Sequence, residues 1–167
     1  MDLIQKADDN YFLINRSADL LRRIEEQIGE HLYLGHRHNS AAYILFAIIR
    51  HYELYLFAHD SDGNPITLWE QYVKEACYRF GVSRATLFSH TQAYRLAILC
   101  GFSPEDLLDF DVQGLLLCTN LATVDREGRL CVKTPNLLGL PEDYTEEEAK
   151  QALVNICLLY TSDAADD

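Results

Sequence analysis

Apolar positions at three- and four-residue steps organise the first half of the chain. Leu20, Leu21, Ile24, Ile28 and Leu32 follow this spacing, with Arg22, Arg23, Glu25, Glu26 and Glu30 filling the opposite side. The pattern predicts an amphipathic helix lying on a core, with Ser17 as its N-cap. Residues 35–39 break the pattern, and Asn39 or Ser40 caps a second predicted helix running to about Phe57. There Tyr43, Ile44, Phe46, Ala47, Ile48, Leu54, Tyr55 and Phe57 leave little polar circumference, which marks the central helix of the domain.

Turn formers then punctuate the chain. His59-Asp60-Ser61-Asp62-Gly63-Asn64-Pro65 ends the apolar helix, and Thr67 opens the next, its spacing to Glu70 matching a capping box. Further on, Ser103-Pro104-Glu105-Asp106 places a cap, a proline and two acids at the start of a helix predicted to reach about Cys118, which Asp109 and Asp111 shorten. Two short apolar arms around Asp125-Arg126-Glu127-Gly128 predict a β-hairpin over 120–133. Residues 135–143 read as a loop, and Thr145-Glu146-Glu147-Glu148 begins a last helix.

Between these elements lies the run Glu75-Ala76-Cys77-Tyr78-Arg79-Phe80-Gly81-Val82-Ser83-Arg84-Ala85-Thr86-Leu87-Phe88-Ser89-His90. Small side chains at Ala76 and Cys77 let two helices approach. Gly81 suits the left-handed conformation of a tight turn, Val82 plugs the angle, Ser83 caps the second helix and Leu87 points to the core. The run resembles the helix-turn-helix of bacterial and phage DNA-binding proteins. With its flanks, over about 43–110, it is similar to ParB-like and related plasmid or phage proteins. It departs from that pattern at His90, where an inward-packing apolar residue is usual.

The resemblance implies a helix-turn-helix over about 67–100, after which the hairpin can serve as a wing. It implies a recognition helix whose Arg84, Thr86, Ser89 and Gln92 face the major groove, with His90 near the same outer face and Ser83 at its start. Arg79 and Arg95 would meet phosphates. A homodimer reading two half-sites fits the same family behaviour. Trp69, Tyr72 and Tyr78 are read as core and interface packing rather than a platform for stacking bases.

Composition bounds the reading. With 167 residues, 49% of them hydrophobic, the chain is predicted to fold as one mainly α domain over 1–156, a helix-turn-helix in a compact helical body followed by a short hairpin. The richest apolar run, 41–57, is interrupted by Arg50, His51 and Glu53, so no membrane span is expected. The start Met1-Asp2-Leu3-Ile4-Gln5-Lys6 lacks the features of a secretory signal, which predicts a cytoplasmic protein. Cys77, Cys100, Cys118, Cys131 and Cys157 form no C-x-x-C pair and are expected to be reduced thiols. His36-Arg37-His38 reads as a polar loop, not a metal site.

The final residues, 157–167, resemble a translated transposon-end adapter from a sequencing library, so they are set apart as an artefactual tail of a metagenomic fragment whose native end is missing beyond Ile156. Without Asp163, Asp166 and Asp167 the formal charge of −12 becomes −9. Such acidity opposes phosphate binding. Within 67–101, however, Lys74, Arg79, Arg84 and Arg95 outnumber Glu70 and Glu75, a local balance of +2.

No glycine-rich phosphate loop and no nucleophile with its base is found, so no enzyme activity, catalytic residue, cofactor or metal is assigned. The expectation is a double-stranded DNA-binding regulator or partition-type adaptor of a phage or plasmid. The alternative is an acidic interaction protein that meets a protein partner through its carboxylates, such as a DNA mimic inhibiting a phage-defence nuclease.

Overall fold

The computed structural model describes residues 2–35 and 39–155. The His36-Arg37-His38 run and the 157–167 tail lie outside the described residues. The chain is mainly helical and carries one short antiparallel hairpin among the described residues. It divides into two units, Met1–Thr91 and Gln92–Asp167.

The first unit is built around α4 (Asn39–His51), in which every residue from Ala41 to Ile49 is buried. A helix apolar on all sides has to be surrounded, and α3 (Ala18–Leu34) supplies one wall through Leu20, Leu21, Ile24 and Ile28. Ser17 caps α3 as expected, its hydroxyl accepting from the Leu20 N–H at 3.1 Å. On another side Phe46 of α4 meets Phe80 edge-on at 5.6 Å, and Tyr43 meets His90 at 4.9 Å.

The chain before α3 is structured as well. Two short helices, α1 (Leu3–Lys6) and α2 (Asp9–Ile14), are capped by the carboxylates of Asp2 and Asp8 and bury Leu3, Ile4 and Phe12. Tyr52 ties α2 down by donating to Asp9 at 2.8 Å. Burial and that carboxylate together push the phenol pKa well up, so it stays a donor at any working pH.

α4 ends at His51, earlier than predicted. Glu53 takes a left-handed conformation (φ 56), and a 3-10 turn, Leu54–Phe57, replaces the last helical turn. Both Leu54 and Tyr55 still reach the interior.

The turn-rich run closes as a tight loop in which Asp60 Oδ1 accepts from the Asp62 and Asn64 N–H groups. α5 (Trp69–Phe80) starts two residues after Thr67, and the expected Thr67–Glu70 box is replaced. The Gln71 carboxamide oxygen accepts from the Thr67 and Leu68 N–H groups at 2.9 and 3.1 Å. Three residues then lead into α6 (Arg84–Leu99).

In the second unit, the predicted helix after Ser103 is two. α7 (Pro104–Leu107) is capped by Ser103, and α8 (Val112–Cys118) by the Asp111 carboxylate, so the acids at 109–111 separate two helices rather than shorten one. β1 (Ala122–Val124) pairs antiparallel with β2 (Leu130–Val132), Thr123 opposite Cys131. α9 (Glu146–Leu153) begins with the Thr145–Glu148 capping box and packs near β2.

Cys77, Cys100 and Cys131 are free thiols, and Cys118 is buried. Burial pushes the Cys100 thiol up to about 11, so it is unreactive at neutral pH. No helix among the described residues is long and apolar enough to cross a membrane.

Phe46 is the largest side chain of α4 buried without any exposure. Phe46→Ala is expected to lower unfolding stability by about 3–5 kcal/mol, read as a shifted urea midpoint.

Candidate functional site

The turn between α5 and α6 is made as its sequence demands. Gly81 sits at φ 68, ψ 29, and its N–H closes on the Cys77 carbonyl at 3.0 Å, ending α5. Ser83 then starts α6, its hydroxyl accepting from the Thr86 N–H at 3.1 Å and donating to the Thr86 hydroxyl. Leu87, one turn on, is fully buried and sets the rotation of the helix.

That rotation fixes what the first two turns present. Arg84, Ala85 and Ser89 are exposed, and Thr86 and Phe88 are half-buried. The Arg84 guanidinium lies over the Phe88 ring at 5.4 Å, a stacking that holds the long side chain along the helix without neutralising it. Ser89 donates back to the Thr86 carbonyl.

His90 goes the other way. Its ring packs against Tyr43, and desolvation lowers its pKa below the usual histidine value. It therefore takes the inward role that an apolar residue fills in the motif it resembles, and its expected place beside the base-reading residues is corrected.

Two further expectations change for one reason, the hairpin of the second unit. Gln92 donates through Nε2 to the Thr123 hydroxyl and, at 2.7 Å, to the Val124 carbonyl. Arg95 is only 3% exposed and reaches the Asp125 carbonyl with Nη1 at 3.4 Å. Neither side chain projects outward; both clamp the hairpin onto the C-terminal half of α6. The turn they hold is ordered from within, Asp125 accepting from the Glu127 and Arg129 N–H groups at 3.0 and 2.8 Å.

Arg79 is half-exposed but engaged. Its Nη1 lies 3.1 Å from Glu25 Oε2 of α3, and its guanidinium covers the Phe80 ring. The same carboxylate oxygen accepts from the buried Tyr72 hydroxyl at 2.9 Å. Burial, and then the nearby Glu25 charge, hold the Tyr72 phenol well above its ordinary pKa. Lys74 and Arg84 are exposed and enter no ion pair among the described residues. Trp69 and Tyr72 are buried as expected, stacked at 5.5 Å, but Tyr78 is 91% exposed. Of the hairpin cations, Arg129 faces Asp125 at 3.7 Å and Glu127 at 3.9 Å.

No protein family matches the chain, and neither a curated protein nor a solved structure is significantly similar to it.

The imidazole of His90 supplies a pH test. Above about pH 6.5 it is neutral in both folded and unfolded chains. As the pH falls through that value the unfolded chain binds the proton first, so stability drops between pH 7 and pH 5. His90→Phe should flatten that part of the stability profile, and NMR titration should place the His90 midpoint below that of a free histidine.

Gly128 tests the turn that the clamp holds. At φ 82, an added Cβ would stand 3.4 Å from Arg95 Nη2. Gly128→Ala is expected to cost about 1–2 kcal/mol through the left-handed backbone alone, measured by urea unfolding.

Proposed function

We propose that the chain is a DNA-binding helix-turn-helix protein, a transcriptional regulator or partition-type adaptor, whose contacts are fewer than the sequence suggests. One observation carries this: a glycine-closed turn and a serine cap leave Arg84 and Ser89 exposed on the first two turns of α6, with Thr86 between them. Arg84 is suited to a guanine edge or a phosphate, and Lys74 to a phosphate. Thr86 and Ser89 add short hydroxyls. Arg95 and Gln92 act as supports for the hairpin, and Arg79 is shared with Glu25. Double-stranded DNA is thus the proposed partner, and pairing of two copies on two half-sites would compensate for the small number of contacts per chain.

The acidic-mimic alternative draws less support. Its carboxylates should form a continuous stripe, yet Asp19 and Glu26 each lie 2.7 Å from Arg22. Glu146 and Glu147 share Lys150, and Asp125 and Glu127 share Arg129. Mixed-sign pairs of this kind belong to ordinary solvated helix and turn surfaces.

Fluorescence anisotropy with random-sequence duplex DNA over a salt series tests the proposal. Arg84→Ala should weaken binding and reduce the slope of log K against log salt by about 1, and Lys74→Ala should do the same. Equal affinity and equal slope in wild type and Arg84→Ala would sink the proposed docking mode.

A further inference from the structure

Tyr78 is the side chain of α5 that the fold leaves unused. Trp69, Tyr72, Val73 and Ala76 mark the buried side of that helix. Tyr78 follows Ala76 by two residues, about 200° round the axis, and so stands on the opposite side, 91% exposed. Its hydroxyl enters no hydrogen bond and its ring no aromatic contact among the described residues. The phenol keeps a free donor and a free acceptor.

The charges around it favour an anionic partner. Lys74 stands one turn before Tyr78, about 6 Å along the axis, exposed and without an ion pair among the described residues. Arg84 lies toward the same flank. Burial pulls the Cys77 thiol pKa up while the Arg84 charge pulls it down, which places the guanidinium near Cys77, and Cys77 is also one turn after Lys74. Both acids of α5 stand apart from this group. Glu75 lines a cavity with Leu21 and Glu25 of α3, and Glu70 lies two turns before Tyr78, about 12 Å along the axis. Gln71, the other exposed residue of this face, has its carboxamide oxygen committed to the start of α5.

We infer that Tyr78 donates its hydroxyl to a phosphate of double-stranded DNA, next to the phosphate met by Lys74. This rests on the DNA-binding reading above and deepens it by naming a backbone contact. The separation of Lys74 and Tyr78 along the helix is comparable with the step between neighbouring phosphates of one strand. A phenol has few torsions to fix, so ordering it on the backbone costs less entropy than ordering a further lysine. The contact positions the turn between α5 and α6 on the strand and reads no base. Being neutral, it releases no counterion, which separates it by experiment from Lys74 and Arg84.

Fluorescence anisotropy of the full chain with random-sequence duplex DNA over a salt series tests the contact. Tyr78→Phe should weaken binding roughly 10-fold at each salt concentration and leave the slope of log K against log salt unchanged. Its Tm should equal that of the wild type, because the lost hydroxyl has no partner in the fold. Tyr33→Phe, which alters a tyrosine 90% exposed near the end of α3, should bind as the wild type does. Undiminished affinity in Tyr78→Phe, with Arg84→Ala still weakened, overturns the tyrosine contact and leaves the DNA reading standing. A slope reduced by about 1 in Tyr78→Phe, or equal weakening in Tyr33→Phe, also overturns the contact. If the wild type shows no salt-dependent binding, the DNA reading fails and the contact with it.

Discussion

Nine consecutive buried residues, Ala41 to Ile49, impose the constraint on which the first unit depends. A single neighbouring helix covers only one stripe of such a segment, so burial has to come from several directions. α3 supplies an apolar stripe, Leu3 and Ile4 arrive from α1, and Phe80 and His90 come from α5 and α6. The placement of the turn at Gly81 follows from this demand. If Phe80 and Leu87 are both to point inward, the chain must reverse sharply between them, and Gly81 adopts the left-handed conformation that permits it. The exposed side of α6 is what remains once its buried side is satisfied.

The same helix has two characters along its length. Its first two turns are exposed or half-buried except at Leu87, whereas residues 93–97 are entirely buried. Gln92 and Arg95 lie at or beyond that change, which explains why their polar groups serve the hairpin. A buried guanidinium is costly unless its donors are met, and the Asp125 carbonyl at the turn meets one of them without adding a charge. The hairpin has only three residues in each strand, too few to be stable alone, so the clamp from α6 matters to it.

Helices long enough to repeat their pattern were legible. Ser17, Thr145 and Ser103 cap where their spacing to the following residues says they should, because capping is decided within four residues. α1 and α2 escaped because four and six residues do not establish a period, even though Asp2 and Asp8 stand at their starts. The start of α5 shifted because Gln71 lies three residues from Leu68 and outcompetes Glu70 for the free N–H groups. Around the turn, the cap at Ser83 and the exposure of Arg84 and Ser89 were readable from local helix geometry. Gln92 and Arg95 were not, since their partners come some thirty residues later, and His90 was not, since Tyr43 lies on another helix.

Net charge misleads here in both directions. A formal −12 suggests repulsion from phosphate, but several of the acids stand beside a cation on the same helix or turn, as Asp19 and Glu26 do around Arg22. Paired charges cancel beyond a few ångströms, and in physiological salt fields fade over about 8 Å. What a ligand meets is therefore decided by which side chains are left over. The local excess of cations between 67 and 101 is likewise smaller than its count, because Arg95 is buried and Arg79 shares Glu25. Two basic groups remain on the outer surfaces of α5 and α6, Lys74 and Arg84. In the proposed docking mode so sparse a surface would gain discrimination from the hydroxyls and from Arg84 rather than from bulk attraction, because a guanidinium already stacked on Phe88 would lose less freedom on meeting a target.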